Sequence, residues 1–135
     1  MRIMVDTNVF ISVVVFNSKR LGNMLNDICE NHVLVLSSYV LDEIKNVIKE
    51  KFPNKTAAMD EILFNLPFEL EYTPNELPEY DHFTIRDKDD EPVLYSAITA
   101  DVDVLITGDR DFFDVESERP EILSPAEFLA KYVLQ

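Results

Sequence analysis

Acids scattered along the chain carry its clearest chemical signal: Asp6, Glu43, Asp90, Asp109 and Asp111. Asp6 follows the apolar run Ile3-Met4-Val5, which reads as a short buried strand. A carboxylate at the carboxyl end of a central parallel strand faces the crevice where open α/β sheets hold their ligands. Thr7 and Asn8 then offer short polar side chains for the start of the helix suggested by Val9 to Val15. For a lone Asp, capping that helix would be the better explanation. The other acids change the balance.

Glu43 stacks at helical spacing with Val40 and Val47, on the border of an apolar stripe formed with Leu41, Ile44 and Ile48. An acid bordering the core is costly unless something pairs with it, which makes Glu43 a candidate ligand. A solvated helix-edge glutamate is the plain alternative. Asp87, Asp89, Asp90 and Glu91 crowd one helix start, where the helix dipole favours acids and capping explains one or two of them. Asp90 stands three, four and seven residues before Val93, Leu94 and Ala97, in line with the inward stripe. Glu91 lies at the margin of that stripe, so Asp90 is the first choice and Glu91 the second. Thr107-Gly108-Asp109-Arg110-Asp111 follows the apolar run Val102–Ile106 as Asp6 follows the first strand. Gly108 permits a tight turn there, and Phe112 or Phe113 can anchor it in the core. Turn capping is the alternative for Asp109 and Asp111.

Two carboxylates about 6 Å apart at an effective dielectric near 20 repel by roughly 2–3 kcal/mol. A cluster of four acids therefore needs a cation or must hold protons. His32 and His82 lie outside the constellation, and Cys29 falls on a helix stripe with Leu21, Met24, Leu25 and Ile28, which assigns it to the core. Oxygen-only ligation suits a hard cation, Mg²⁺ or Mn²⁺, rather than zinc. Thr7, Asn8 and Thr107 are candidates for holding those carboxylates by hydrogen bonds. Lys19, Arg20 and Arg110 are candidates for holding substrate phosphates, with simple solvation as the alternative.

The elements that must position these residues alternate. Strands are expected at Ile3–Val5, Val33–Leu36, Phe68–Tyr72, Val102–Ile106 and Ile122–Leu123, the third of them at an edge because Glu69 and Glu71 alternate with apolar residues. Helices are expected through Leu21–Cys29, from the caps Ser37 or Ser38 through Phe52, over Ala57–Leu66, around Val93–Ile98 and after Ser124-Pro125. Alternating strands and helices imply a parallel sheet covered on both faces. The 135 residues are expected to form one domain over 1–135, long enough to bury about two-thirds of the unfolded surface. Two prolines interrupt the acidic stretch 74–81, but the halves on either side look too small to fold alone.

Apolar residues make up 47% of the chain and charged residues 28%, an ordinary globular balance. No apolar run reaches the roughly 20 residues of a membrane helix, no signal-peptide pattern opens the chain, and one cysteine allows no internal disulfide. These features suit the cytoplasm. The net charge of −14 argues against broad binding to nucleic acid, although acids gathered around a metal can still act on it.

Taken together, Asp6-Thr7-Asn8, Glu43, Asp90 and Thr107-Gly108-Asp109-Arg110-Asp111 resemble the PIN-domain nucleases, a family that includes the toxin ribonucleases of toxin–antitoxin pairs. The resemblance extends to the closing Ile122-Leu-Ser-Pro-Ala-Glu-Phe-Leu129. It implies a three-layer α/β fold with a central parallel sheet of order 3-2-1-4-5. It also implies Mg²⁺- or Mn²⁺-dependent cleavage of RNA phosphodiester bonds by Asp6, Glu43, Asp90 and Asp109, with Asp111 as an accessory fifth metal ligand. An antitoxin protein as partner follows from the toxin branch, and a homodimer is compatible with it. Asp89 and Glu91 beside Asp90 depart from the neutral residues that related chains often carry there.

Three other classes share part of this pattern. A dehalogenase-type phosphatase wants a second Asp two residues after the first, where Asn8 stands. A nucleotide-binding domain needs a phosphate-cradling loop that two glycines do not supply. A catalytically silent PIN-like binding module fits the acidic surface, while the full set of acids favours activity.

Overall fold

The computed structural model describes residues 1–73, 91–108 and 119–133. Its centre is β1 (Arg2–Val5), whose Ile3, Met4 and Val5 have no exposed surface. A strand covered on both faces reads as a continuous apolar run rather than an alternating one, and Ile3-Met4-Val5 is such a run. β2 (Val33–Ser37) and β4 (Val104–Ile106) flank it, with β3 (Phe68–Glu71) and β5 (Glu121–Leu123) outside them. The order is β3-β2-β1-β4-β5, and every pairing is parallel. This is the expected sheet, and β3 is the expected edge. β4 begins two residues later than Val102, because the Val102 N–H still donates to the Ala97 carbonyl of the preceding helix at 3.2 Å.

Helices α1 (Thr7–Val14), α2 (Lys19–Asn31), α3 (Ser38–Lys51), α4 (Thr56–Asn65), α5 (Glu91–Thr99) and α6 (Pro125–Phe128) flank the sheet. Each boundary has a local cause. The Asp6 carboxylate caps α1 by accepting from the Thr7 N–H, Ser18 caps α2, and Ser37 caps α3 by accepting from the Val40 N–H. Ser124 and Glu127 form a capping box around Pro125, which occupies the first turn of α6 where its missing N–H costs nothing. Pro53 stops α3, and Pro67 holds Leu66 extended at the end of α4. Asn17 (φ 52°) and Asp101 (φ 53°) take left-handed conformations, which turn the chain from α1 into α2 and close α5.

One apolar core runs through all of these elements, from Phe10 on α1 and Ile28 on α2 to Ile44 on α3, Met59 on α4, Ala97 on α5 and Phe128 on α6. Cys29 packs against that core only half-buried, and burial pushes its thiol up from the usual range. At the amino end of the sheet Arg2 reaches Glu69 at 2.7 Å and Glu71 at 3.4 Å, and its N–H donates to Asp103 at 2.8 Å. Arg119 pairs with Asp101 and Asp103 nearby. These cations tie strand ends together. Among the described residues, no helix is long and apolar enough to cross a membrane.

Candidate active site

The carboxyl ends of β1 and β4 lie side by side, where the sheet order reverses. The Asp6 N–H donates to the Ile106 carbonyl at 3.0 Å, which fixes the first residue after β1 against the last of β4. In open parallel sheets this reversal leaves a crevice at the strand ends. Asp6 enters it from β1 and Thr107 from β4, and both are buried.

Among the described residues, three side-chain hydrogen bonds join these groups. The Thr7 N–H donates to Asp6 Oδ1 at 2.7 Å, and the Thr107 hydroxyl donates to Asp6 Oδ2 at 3.0 Å. The Thr7 hydroxyl donates to Glu43 Oε1 at 2.5 Å. Thr7 thus bridges two carboxylates, one through its backbone and one through its side chain. Thr107 is itself anchored, because its N–H donates to the Leu123 carbonyl of β5 at 3.0 Å. Asp6 is 6% exposed and Thr107 0%, so water screens this charge weakly and oriented donors count for more than they would in solvent.

Asp6 therefore caps α1, and its buried carboxylate also stands at the switch point of the sheet. Glu43 leaves the border of the α3 stripe, half-buried, to meet Thr7. Asn8 is exposed in the first turn of α1. Lys19 and Arg20 are exposed at the start of α2. About 12 Å of helix separates them in sequence from the Thr7 turn, and no hydrogen bond or ion pair among the described residues joins them to the carboxylates. Asp90, Asp109, Arg110 and Asp111 lie outside the described residues. Glu91 is the first residue of α5.

The donor set fits a hard divalent cation. Around Asp6 and Glu43 the polar groups are carboxylates, hydroxyls and backbone amides, and the described nitrogen and sulfur ligands lie elsewhere. His32 meets the amino terminus, and Cys29 lines an apolar recess. Among the described residues, no three acids, histidines or cysteines come together as a metal-holding group, so Asp6 and Glu43 would be two of a larger set. The recess, about 390 Å³ between α1, α2 and α4, is lined by Val13, Leu25, Cys29, Ile62 and Leu66 among others. Among the described residues that line it, Glu61 is the only acid.

Comparison with known proteins decides the family. The sequence profile described as "PIN domain" matches residues 2–111. The chain belongs to the PIN-domain family. The matched span contains Asp6, Glu43, Asp90, Asp109 and Asp111 and the strands from β1 through β4. Among solved structures, a chain of VapBC2 from Rickettsia felis, determined bound to a DNA fragment from their promoter, has the same fold. The TM-score is 0.66 at 18% identity, over 92% of this PIN-domain chain and 98% of that one. A search of curated proteins returned no match.

Sequence reasoning missed a group of hydroxyls, Ser38, Thr73 and Ser96, that meets past the carboxyl ends of β2 and β3. Ser38 had a signal, as an alternative cap, but Ser37 takes that role. Thr73 follows β3 and Ser96 lies inside α5, and neither position is marked by periodicity or by a turn signature.

Proposed function

We propose that this PIN-domain chain is a Mg²⁺- or Mn²⁺-dependent endoribonuclease, the toxin of a toxin–antitoxin pair acting in the cytoplasm. The observation that carries the reading is the pairing of Asp6 and Glu43 through Thr7 at the switch point of the sheet. Asp6 and Asp109 are the central metal ligands, Glu43 and Asp90 complete the set, and Asp111 is accessory; Glu91 is the alternative to Asp90. When bound, a divalent cation supplies Lewis acidity that lowers the pKa of water and offsets charge growing on the phosphate.

The chain's own residues orient and restrain. Thr7 and Thr107 hold the Asp6 carboxylate in one orientation, so ligand geometry is set before substrate arrives. Thr7 does the same for Glu43. Asn8, exposed one residue on, is a further support in this reading. Lys19, Arg20 and Arg110 hold substrate phosphates and steer an otherwise repelled polyanion towards a protein of net charge −14. Likeness to a VapBC2 chain supports an antitoxin protein as partner, and a homodimer accords with the same reading.

The acidic surface favours a second reading, a catalytically silent module that binds RNA or protein. Partner-free protein separates the two. With Mn²⁺ it is expected to cut single-stranded RNAs from a mixed panel, to stop in EDTA, and to leave single-stranded DNA of the same sequences largely intact. RNA or protein bound without any cleavage would establish the silent module instead, and equal cleavage of DNA would remove the ribonuclease assignment.

A further inference from the structure

Past the carboxyl ends of β2 and β3, three hydroxyls from distant segments meet: Ser38 in the first turn of α3, Thr73 just after β3, and Ser96 within α5. The Thr73 N–H donates to Ser38 Oγ at 2.9 Å, and the Tyr39 N–H donates to Thr73 Oγ1 at 3.1 Å. Ser96 Oγ lies 2.6 Å from the Pro92 carbonyl and 2.9 Å from Thr73 Oγ1. A carbonyl can only accept, so the single Ser96 proton goes to Pro92, and the Thr73 hydroxyl donates to Ser96. A one-way relay results, from the Tyr39 N–H through Thr73 and Ser96 to the Pro92 carbonyl. It starts on α3 and ends on α5.

Bonds aligned in this way polarise one another, and a low-dielectric setting makes an unpaired member costly. Ser96 is 1% exposed, so water cannot stand in for Thr73. The hydroxyl of Ser96 would satisfy α5 alone by its bond back to Pro92, a common resting place for serine inside a helix. The extra bond to Thr73 therefore does something that helix stability does not require. It ties α5 to α3. Glu43 lies further along α3, and α5 opens at Glu91, directly after Asp90 in sequence.

We propose that Thr73 is a positioning residue, whose relay to Ser96 sets α5 against α3 and so sets the spacing between Glu43 and the first turn of α5. The proposal rests on the metal-site reading above, and Thr73 itself touches neither cation nor substrate. Thr73→Val keeps the shape and removes the hydroxyl; Thr73→Ser keeps the hydroxyl. Leu63→Ala, in the core beneath α4, is a control that lowers stability without touching the relay.

The experiment measures Mn²⁺ affinity of the full chain by electron paramagnetic resonance, with melting temperature alongside. Thr73→Val is expected to weaken Mn²⁺ binding about tenfold, the scale for outer supports of a metal site. Thr73→Ser is expected to bind like the parent, and Leu63→Ala to melt lower with unchanged affinity. Unchanged affinity in Thr73→Val overturns the proposal, and so does equal weakening in Leu63→Ala, which would make the effect one of stability. Should Thr73→Val fail to fold, Ser96→Ala breaks the same relay and is read by the same criteria. Asp6→Asn separates the two levels of the argument. If Asp6→Asn binds Mn²⁺ like the parent, the metal-site reading falls and takes the proposal with it. If it loses binding while Thr73→Val does not, the positioning role alone falls.

Discussion

Asp6→Asn is expected to abolish cleavage and leave the fold intact. Outer supports of metal sites typically contribute about 10–100-fold, and a central ligand contributes more, so the loss should exceed about a hundredfold. Stability should follow a different rule. Asn caps helices about as well as Asp, and its amide oxygen still accepts from the Thr7 N–H that now donates to Oδ1. Thr107 can turn its hydroxyl to accept from the new amide group instead of donating. Removing one charge beside Glu43 further offsets any loss. Asp6→Ala keeps no acceptor and should lose about 1 kcal/mol through the cap alone. Cleavage assays and thermal melts of the two variants in EDTA check this directly. An Asn variant that melts as low as the Ala variant would make Asp6 a structural residue first.

The second large effect is at Glu43. Glu43→Gln preserves size and an acceptor for the Thr7 hydroxyl but removes the charge a cation would need, and activity should fall about a hundredfold. Thr7→Val leaves both carboxylates in place, keeps the backbone donor to Asp6, and removes only the hydroxyl that orients Glu43. It should cost about tenfold. The ratio between the two distinguishes charge from orientation. Single-turnover cleavage at saturating Mn²⁺ is the measurement. If Glu43→Gln cuts RNA like the parent, Glu43 is a helix-edge acid that happens to meet a threonine.

Much of this arrangement was legible because it is local. Ile3-Met4-Val5 announces a doubly covered strand, and Asp6 falls at its end by counting alone. The border position of Glu43 on α3 follows from helical spacing, and its partial burial with a partner is the expected consequence of placing an acid there. Ser124-Pro125 and Pro53 mark helix ends through backbone chemistry that needs no tertiary context. The sheet order came from family resemblance rather than from any periodicity, and the strand pairings agree with it.

What escaped was set by contacts between distant segments. Nothing in Thr7 announces that its backbone would serve one carboxylate and its hydroxyl another. Around α5 the sequence suggested a stripe of Val93, Leu94, Ala97 and Ile98, yet Tyr95 and Ser96 are buried while Ile98 is only partly so. The helix is enclosed on more sides than its amphipathic pattern implies, because the Thr73 segment and α3 pack against it. Cys29, expected in the core, instead lies half-buried at the edge of the α1–α2–α4 recess.

Product chemistry tests the central claim most directly. If four carboxylates and a cation activate water, the oxygen that enters the phosphate comes from solvent and the RNA 2′-hydroxyl takes no part. Cleavage in ¹⁸O-labelled water with Mn²⁺ should therefore place one label on the product phosphate and yield no 2′,3′-cyclic ends, with no product in EDTA or from Asp6→Asn. Cyclic phosphate products, or cleavage that persists in EDTA, would contradict the account.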